Sequence, residues 1–117
     1  MVLTNAQMFE SVTELAKARD EKGLLGYAVA VNLRKLSAEV IEFSKKRDEL
    51  LAEHGTDAGE GKYNLTPAQA AAFREVLRPY AELTADVAIM QVPAEVFYGG
   101  NLTSAQMLAL IWMVKEG

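Results

Sequence analysis

Leu24-Leu25-Gly26-Tyr27-Ala28-Val29-Ala30-Val31-Asn32-Leu33-Arg34-Lys35-Leu36 opens a stretch that runs on without proline to His54. Within it Val29, Leu33, Leu36, Val40, Phe43, Arg47 and Leu50 recur at steps of 4, 3, 4, 3, 4 and 3. That is a heptad seam interrupted only by Arg47, and it predicts one long helix from about Leu24 to His54. Gly26 weakens its first turn, so the start is set at Leu24 or a few residues later. Glu42 and Lys46 form an i,i+4 pair on the wet side. Asn32 and Arg47 are polar positions on or beside the seam. A buried polar residue there fixes register or partner at some cost in stability, which suits a self-associating helix.

Downstream, Thr56 to Asn64 is rich in Gly, Asp and Lys and reads as a mobile loop. Ala70, Phe73, Leu77, Tyr80 and Leu83 then repeat at 3, 4, 3 and 3, predicting a helix from Pro67 to about Thr84. Pro79 lies inside that pattern and predicts a kink or break near Glu75 to Arg78. The two helices would form an antiparallel hairpin. Upstream, Met8, Val12, Leu15 and Ala16 share one face of a helix from Asn5 to Arg19, stopped by Asp20 to Gly23.

A five-residue phrase, L-T-x-A-Q, occurs at Leu3–Gln7, Leu65–Gln69 and Leu102–Gln106. Its physical reading is a capping box. Thr accepts from the amide three residues on, Gln reaches back to the Thr amide, and the preceding Leu packs five residues along. It predicts helix starts at Thr4, Thr66 and Thr103. The uneven spacing argues against a tandem repeat.

Val87 to Val92 alternates, is β-branched and stops at Pro93, so it predicts a short strand. A lone strand leaves backbone groups unpaired. It must pair with a neighbouring subunit or with Glu95 to Tyr98, or be an extended loop. Gly99-Gly100-Asn101 reads as a turn. The last helix, Ser104 to Lys115, is apolar on nearly every side, which marks Ile111 and Trp112 for the centre of the fold or a subunit interface. The expected fold is mainly α and a single domain over residues 1–117. It comprises a long antiparallel helical hairpin, N-terminal and C-terminal helices, and one short strand at about 87–92.

Composition narrows the chemistry. The 117 residues hold 12 Lys+Arg, 16 Asp+Glu, one His and no Cys, for a formal charge of -4. Half are hydrophobic and 24% charged, the balance of a folded globular chain. Without cysteine there are no disulfides, thiolate metal sites or Cys nucleophiles. No apolar run reaches membrane-spanning length, and no secretory signal is expected at the start. The negative charge argues against a sequence-specific nucleic-acid binder.

His54 sits at a helix end, where a cation suits the dipole, and no local motif supplies it with a catalytic partner. The acidic residues Glu39, Glu42, Asp48, Glu49 and Glu53 lack the E-x-x-H spacing of di-iron bundles. Gly59-Glu60-Gly61-Lys62 lacks the spacing of a phosphate loop. Neither a metal site, a cofactor nor an enzyme is expected. Lys45-Lys46-Arg47, with Arg34 and Lys35 about three turns earlier, makes a basic stretch. It reads first as a solvated face, and second as an anion contact multiplied in a symmetric assembly. Tyr63, Tyr98 and Trp112 are the aromatics that the helical stripes explain least. Packing is the first reading and base stacking the second. The candidate ligand residues are therefore Arg34, Lys45, Lys46, Arg47, Tyr63 and Tyr98. The candidate oligomer contacts are Asn32, Ile111 and Trp112.

Leu3-Thr4-Asn5-Ala6-Gln7, then Tyr27-x4-Asn32-x3-Leu36-x2-Glu39, then Arg47, Leu50-Leu51 and His54-Gly55, and a closing Leu102-Thr103-x2-Gln106-Met107 span most of the chain. Together they resemble a group of small uncharacterised phage and prophage proteins, a domain of unknown function. The chain departs from the group at Gly26, where the group favours a proline-containing approach to the helix. The resemblance implies a phage origin and an all-helical hairpin, and carries no catalytic residues. The function expected is a non-enzymatic binding protein of the host cytoplasm, a homo-oligomer. It would act stoichiometrically in counter-defence, on a host immune protein or by sequestering a nucleotide immune signal. The alternative is a virion or tail-assembly accessory.

Overall fold

In the computed structural model, which describes residues 1–115, each L-T-x-A-Q phrase opens a helix. The elements in chain order are β1 (Val2–Thr4), α1 (Asn5–Lys17), α2 (Gly23–Glu39), α3 (Ile41–His54), β2 (Thr56–Gly59) and β3 (Lys62–Asn64). Then follow α4 (Pro67–Ala81), β4 (Thr84–Asp86), α5 (Ala94–Tyr98), α6 (Ser104–Ala109) and a 3₁₀ turn, Ile111–Met113. The chain is mainly helical.

All three capping boxes are complete. The Thr hydroxyls of Thr4, Thr66 and Thr103 accept from the amides of Gln7, Gln69 and Gln106 at 3.1, 3.2 and 3.2 Å. The Gln side chains accept in return from the Thr amides at 2.9, 2.8 and 2.8 Å. Two otherwise orphaned donors are satisfied at each start.

The stretch expected as one helix from Leu24 to His54 is two. The helical run is broken at Val40, whose ψ of 5° departs from helical geometry. No proline or glycine forces this. The two halves bury their seams against different neighbours: α2 against α1, and α3 against α4. Gly26 has a packing reason, since a Cβ there would collide with the Glu21 carbonyl of the preceding turn.

α1, α2 and the C-terminal segment enclose the core. Met8, Leu15, Leu36, Phe97, Leu110 and Met113 are fully buried in it. α3, α4 and the β2–β3 hairpin extend from this body as an arm, and the molecule measures 45 × 27 × 22 Å. The loop expected over Thr56 to Asn64 is thus a small antiparallel hairpin. It turns through three positive-φ residues, Gly59, Glu60 and Gly61. α4 runs unbroken to Ala81. Pro79 falls in its last turn, so the one helical hydrogen bond it removes, to the Glu75 carbonyl, lies close to the end of the helix.

The strand expected at 87–92 is not a strand. The strand lies three residues earlier, as β4, and pairs antiparallel with β1 in the register Val2 with Asp86, Leu3 with Ala85 and Thr4 with Thr84. Residues 87–92 form an extended segment whose polar groups are met in other ways. Asn32 donates to the Met90 carbonyl at 2.9 Å and accepts from the Met90 amide at 2.7 Å, acting as a surrogate strand edge. Lys35 donates to the Ala88 carbonyl at 2.7 Å. The Val92 amide donates to Met113, and the Lys115 amide to Val92, both at 2.8 Å. That last pairing also draws the C-terminal segment out of helical geometry. The helix expected over Ser104 to Lys115 therefore ends at Ala109 and gives way to the 3₁₀ turn. Glu95 to Tyr98, expected as one pairing partner for the strand, is instead part of the short helix α5.

Candidate binding groove

α1 carries Met8, Ser11 and Leu15 on its buried face and Gln7 and Glu10 beside them. α6 and the 3₁₀ turn run alongside. Leu110 and Met113 point into the core, and Leu108 and Ile111 point out, 80% and 51% exposed. Between the two elements is an open groove of about 680 Å³. Its walls are Gln7, Glu10 and Ser11 on one side and Ala105, Leu108, Ala109, Ile111 and Trp112 on the other, closed at one end by Met1, Val2 and Leu3.

Trp112 fixes the wall. Its indole N–H donates to the Ser11 hydroxyl at 3.1 Å, and Ser11 is itself buried. Gln91 donates to the Trp112 carbonyl at 3.0 Å. The ring is thereby held with its polar atom inward and its apolar body available to the groove. Ser11 is the hydroxyl of the lining, and Glu10 on the rim carries its side-chain charge. The lining is suited to packing against an apolar segment.

The expected ligand residues fall on four elements. Arg34 is exposed on α2; Lys45, Lys46 and Arg47 lie on α3; Tyr63 is half-buried on β3; Tyr98 is exposed on α5. The basic run on α3 is matched by acids of its own helix: Lys45 with Glu42 at 3.4 Å, Lys46 with Glu49 at 3.5 Å and Arg47 with Asp48 at 3.8 Å. Lys46 also sits 5.3 Å from the Tyr80 ring centroid, and Arg47 5.0 Å from that of Phe9. Phe9 packs edge-on to Phe43 at 5.8 Å. Arg47 on the seam is thus a cation laid on the aromatic contact that joins α1 to α3. Tyr98 makes an edge-on contact with Phe97 at 5.1 Å.

Of the expected oligomer contacts, Ile111 and Trp112 come together in the groove. Asn32 lies inside the chain, fully buried, with its amide committed to Met90. The His54 ring shares a hydrogen bond with the Leu50 carbonyl at 2.9 Å, one turn back on its own helix. Among the described residues, no three His, Cys, Asp or Glu side chains gather as a metal site. Among the described residues, no helix is long and apolar enough to cross a membrane.

Ser11 and Leu108 are among the groove residues that escaped the sequence reading. Ser11 stands three residues after Met8 and four before Leu15, so its place on the buried face was readable from spacing. Leu108 had no such signal, because a helix apolar all round does not say which side stays uncovered. Comparison with protein-family models, characterised proteins and solved structures finds no match to this chain.

Proposed function

We propose that the chain is a non-enzymatic binding protein that acts stoichiometrically as a homo-oligomer, with the α1–α6 groove as the contact between copies. The observation that carries this is Leu108 at 80% exposure on the lip of a hollow that also holds Val2, Ile111 and Trp112 beside the polar Gln7, Glu10 and Ser11. Ridge and hollow belong to one patch, which a two-fold axis can match to itself. Burying a side chain such as Leu108 or Ile111 is worth about 1.5–3 kcal/mol.

The biological setting is the phage counter-defence reading, in the host cytoplasm. Its support is the resemblance carried by Leu3 to Gln7, the Tyr27 to Glu39 pattern and the closing Leu102 to Met107. On this reading the α3–α4 arm, whose apolar side chains are only partly covered, is the surface offered to a target.

Light scattering on purified protein tests the assembly. A mass of two or more copies at micromolar concentration is expected, with Leu108→Glu reduced to the monomer while its circular dichroism is unchanged. A monomeric wild type sinks the self-association. Expression in bacteria carrying defence systems tests the setting. Restored phage plating by the wild type, reduced by Leu108→Glu, is expected. No effect against any defended host would remove counter-defence.

A further inference from the structure

Where α1 ends and α2 begins, a second concavity, of about 410 Å³, is lined by Arg19, Val29, Ala30, Leu33 and Arg34. Two arginines line it together with three apolar residues, and the lining contains no acidic side chain. Lys17, Lys45, Lys46, Arg47 and Arg78 each stand within 4 Å of a carboxylate, four of them at i,i+3 spacing. Arg19 and Arg34 have neither an ion pair nor a hydrogen-bonded side-chain partner among the described residues. Sequence spacing explains the difference. The positions three and four residues either side of Arg34 are Ala30, Val31, Ser37 and Ala38, and those around Arg19 are Leu15, Ala16, Lys22 and Gly23. None is acidic. Asp20 and Glu21 follow Arg19 in the chain, but neither comes within ion-pair distance of it, and Glu21 is committed to the Asn101 amide at 3.1 Å.

The geometry points to a binding site for a small aromatic phosphate monoester, its phosphate between the Arg19 and Arg34 guanidiniums and its ring on Val29, Ala30 and Leu33. Guanidinium is the side chain whose planar fork matches a phosphate bidentately, and two forks suit a dianion better than a carboxylate. The hollow is at the small end of ligand pockets, which fits one ring system. The exposed Tyr27 lies one turn before Ala30 on α2, and offers a second surface to a larger aromatic body. Arg34 alone was legible as a ligand residue. Its companion Arg19 is brought to it by the turn between α1 and α2. The site does not depend on the α1–α6 groove or on self-association.

The test is a nuclear magnetic resonance titration of the full chain with phenyl phosphate, beside inorganic phosphate and benzyl alcohol. Saturable shifts confined to the methyls of Val29, Ala30 and Leu33 and the side-chain N–H signals of Arg19 and Arg34 are expected. Arg34→Gln and Arg19→Gln should each weaken phenyl phosphate about tenfold, and Arg34→Lys less, because charge remains without the fork. Leu108→Glu should bind as the wild type does, even if it alters the assembly. Adenosine monophosphate in place of phenyl phosphate should move the Tyr27 ring signals as well. Non-saturating shifts, equal binding of inorganic phosphate or benzyl alcohol, or unchanged binding by both Gln variants would overturn the site. So would loss of binding in Leu108→Glu.

Discussion

The body and the arm use the same grammar and reach different degrees of burial. α1 and α4 both start with a complete capping box and both carry an apolar stripe. α1 buries Met8, Ser11 and Leu15, whereas α4 has no fully buried residue. The difference is the number of layers. α1 is covered by α2 on one side and by α6 on another, while α4 has α3 as its main neighbour. An amphipathic pattern states which side of a helix seeks cover, and only a further element supplies enough of it.

The sharpest way to probe this contrast is one deletion in each region. Leu36→Ala, in the fully buried core, should cost about 3–4 kcal/mol by denaturant unfolding, because the cavity cannot collapse. Leu77→Ala, half-buried on α4, should cost about 1 kcal/mol, since water already reaches the site. Equal losses would mean the arm is packed as tightly as the body.

A smaller contrast compares two asparagines that each hold a distant backbone. Asn32→Ala strands both polar groups of Met90 in a partly buried position, and a loss of about 2–3 kcal/mol is expected. Asn5, at an exposed site, donates to the Tyr80 carbonyl at 2.9 Å and helps tie the end of α4 to the body. Asn5→Ala should cost about 0.5–1 kcal/mol, with water taking its place. Melting temperatures that fall alike for the two variants would break the distinction.

The smallest effect is at the caps. Thr103→Ala and Thr66→Ala each remove one hydroxyl acceptor, worth about 1 kcal/mol. Hydrogen exchange should separate them. Thr66→Ala should speed exchange within α4 and the β2–β3 hairpin alone, and Thr103→Ala should act on the whole body. Uniform acceleration in Thr66→Ala would show that arm and body open together.

Helix starts were legible because a capping box is a local arrangement, closed within four residues. The groove was half legible. Ile111 and Trp112 stood out as apolar surplus, but Leu108 did not, since its exposure depends on what α6 leaves uncovered. The basic run on α3 was legible as charge and opaque as chemistry. Its pairing with Glu42, Asp48 and Glu49 and its stacking on Tyr80 and Phe9 depend on rotamers and on helix neighbours. The strand was misplaced by three residues. Alternation at 87–92 reports an extended chain with only some of its side chains covered, whereas ladder pairing needs a free partner edge, and β1 offers it to Thr84–Asp86.

By itself, then, the sequence determined that the chain is mainly helical, where three helices begin, and that cysteine chemistry is absent. These follow from short-range hydrogen bonds and from composition. The tertiary structure alone decided that the seam divides at Val40, that Asn32 serves as an edge for Met90, and that Trp112 reaches Ser11. Each depends on contacts between residues far apart along the chain or on different elements. Local propensity is blind to such contacts, and competition for burial among the helices selects them.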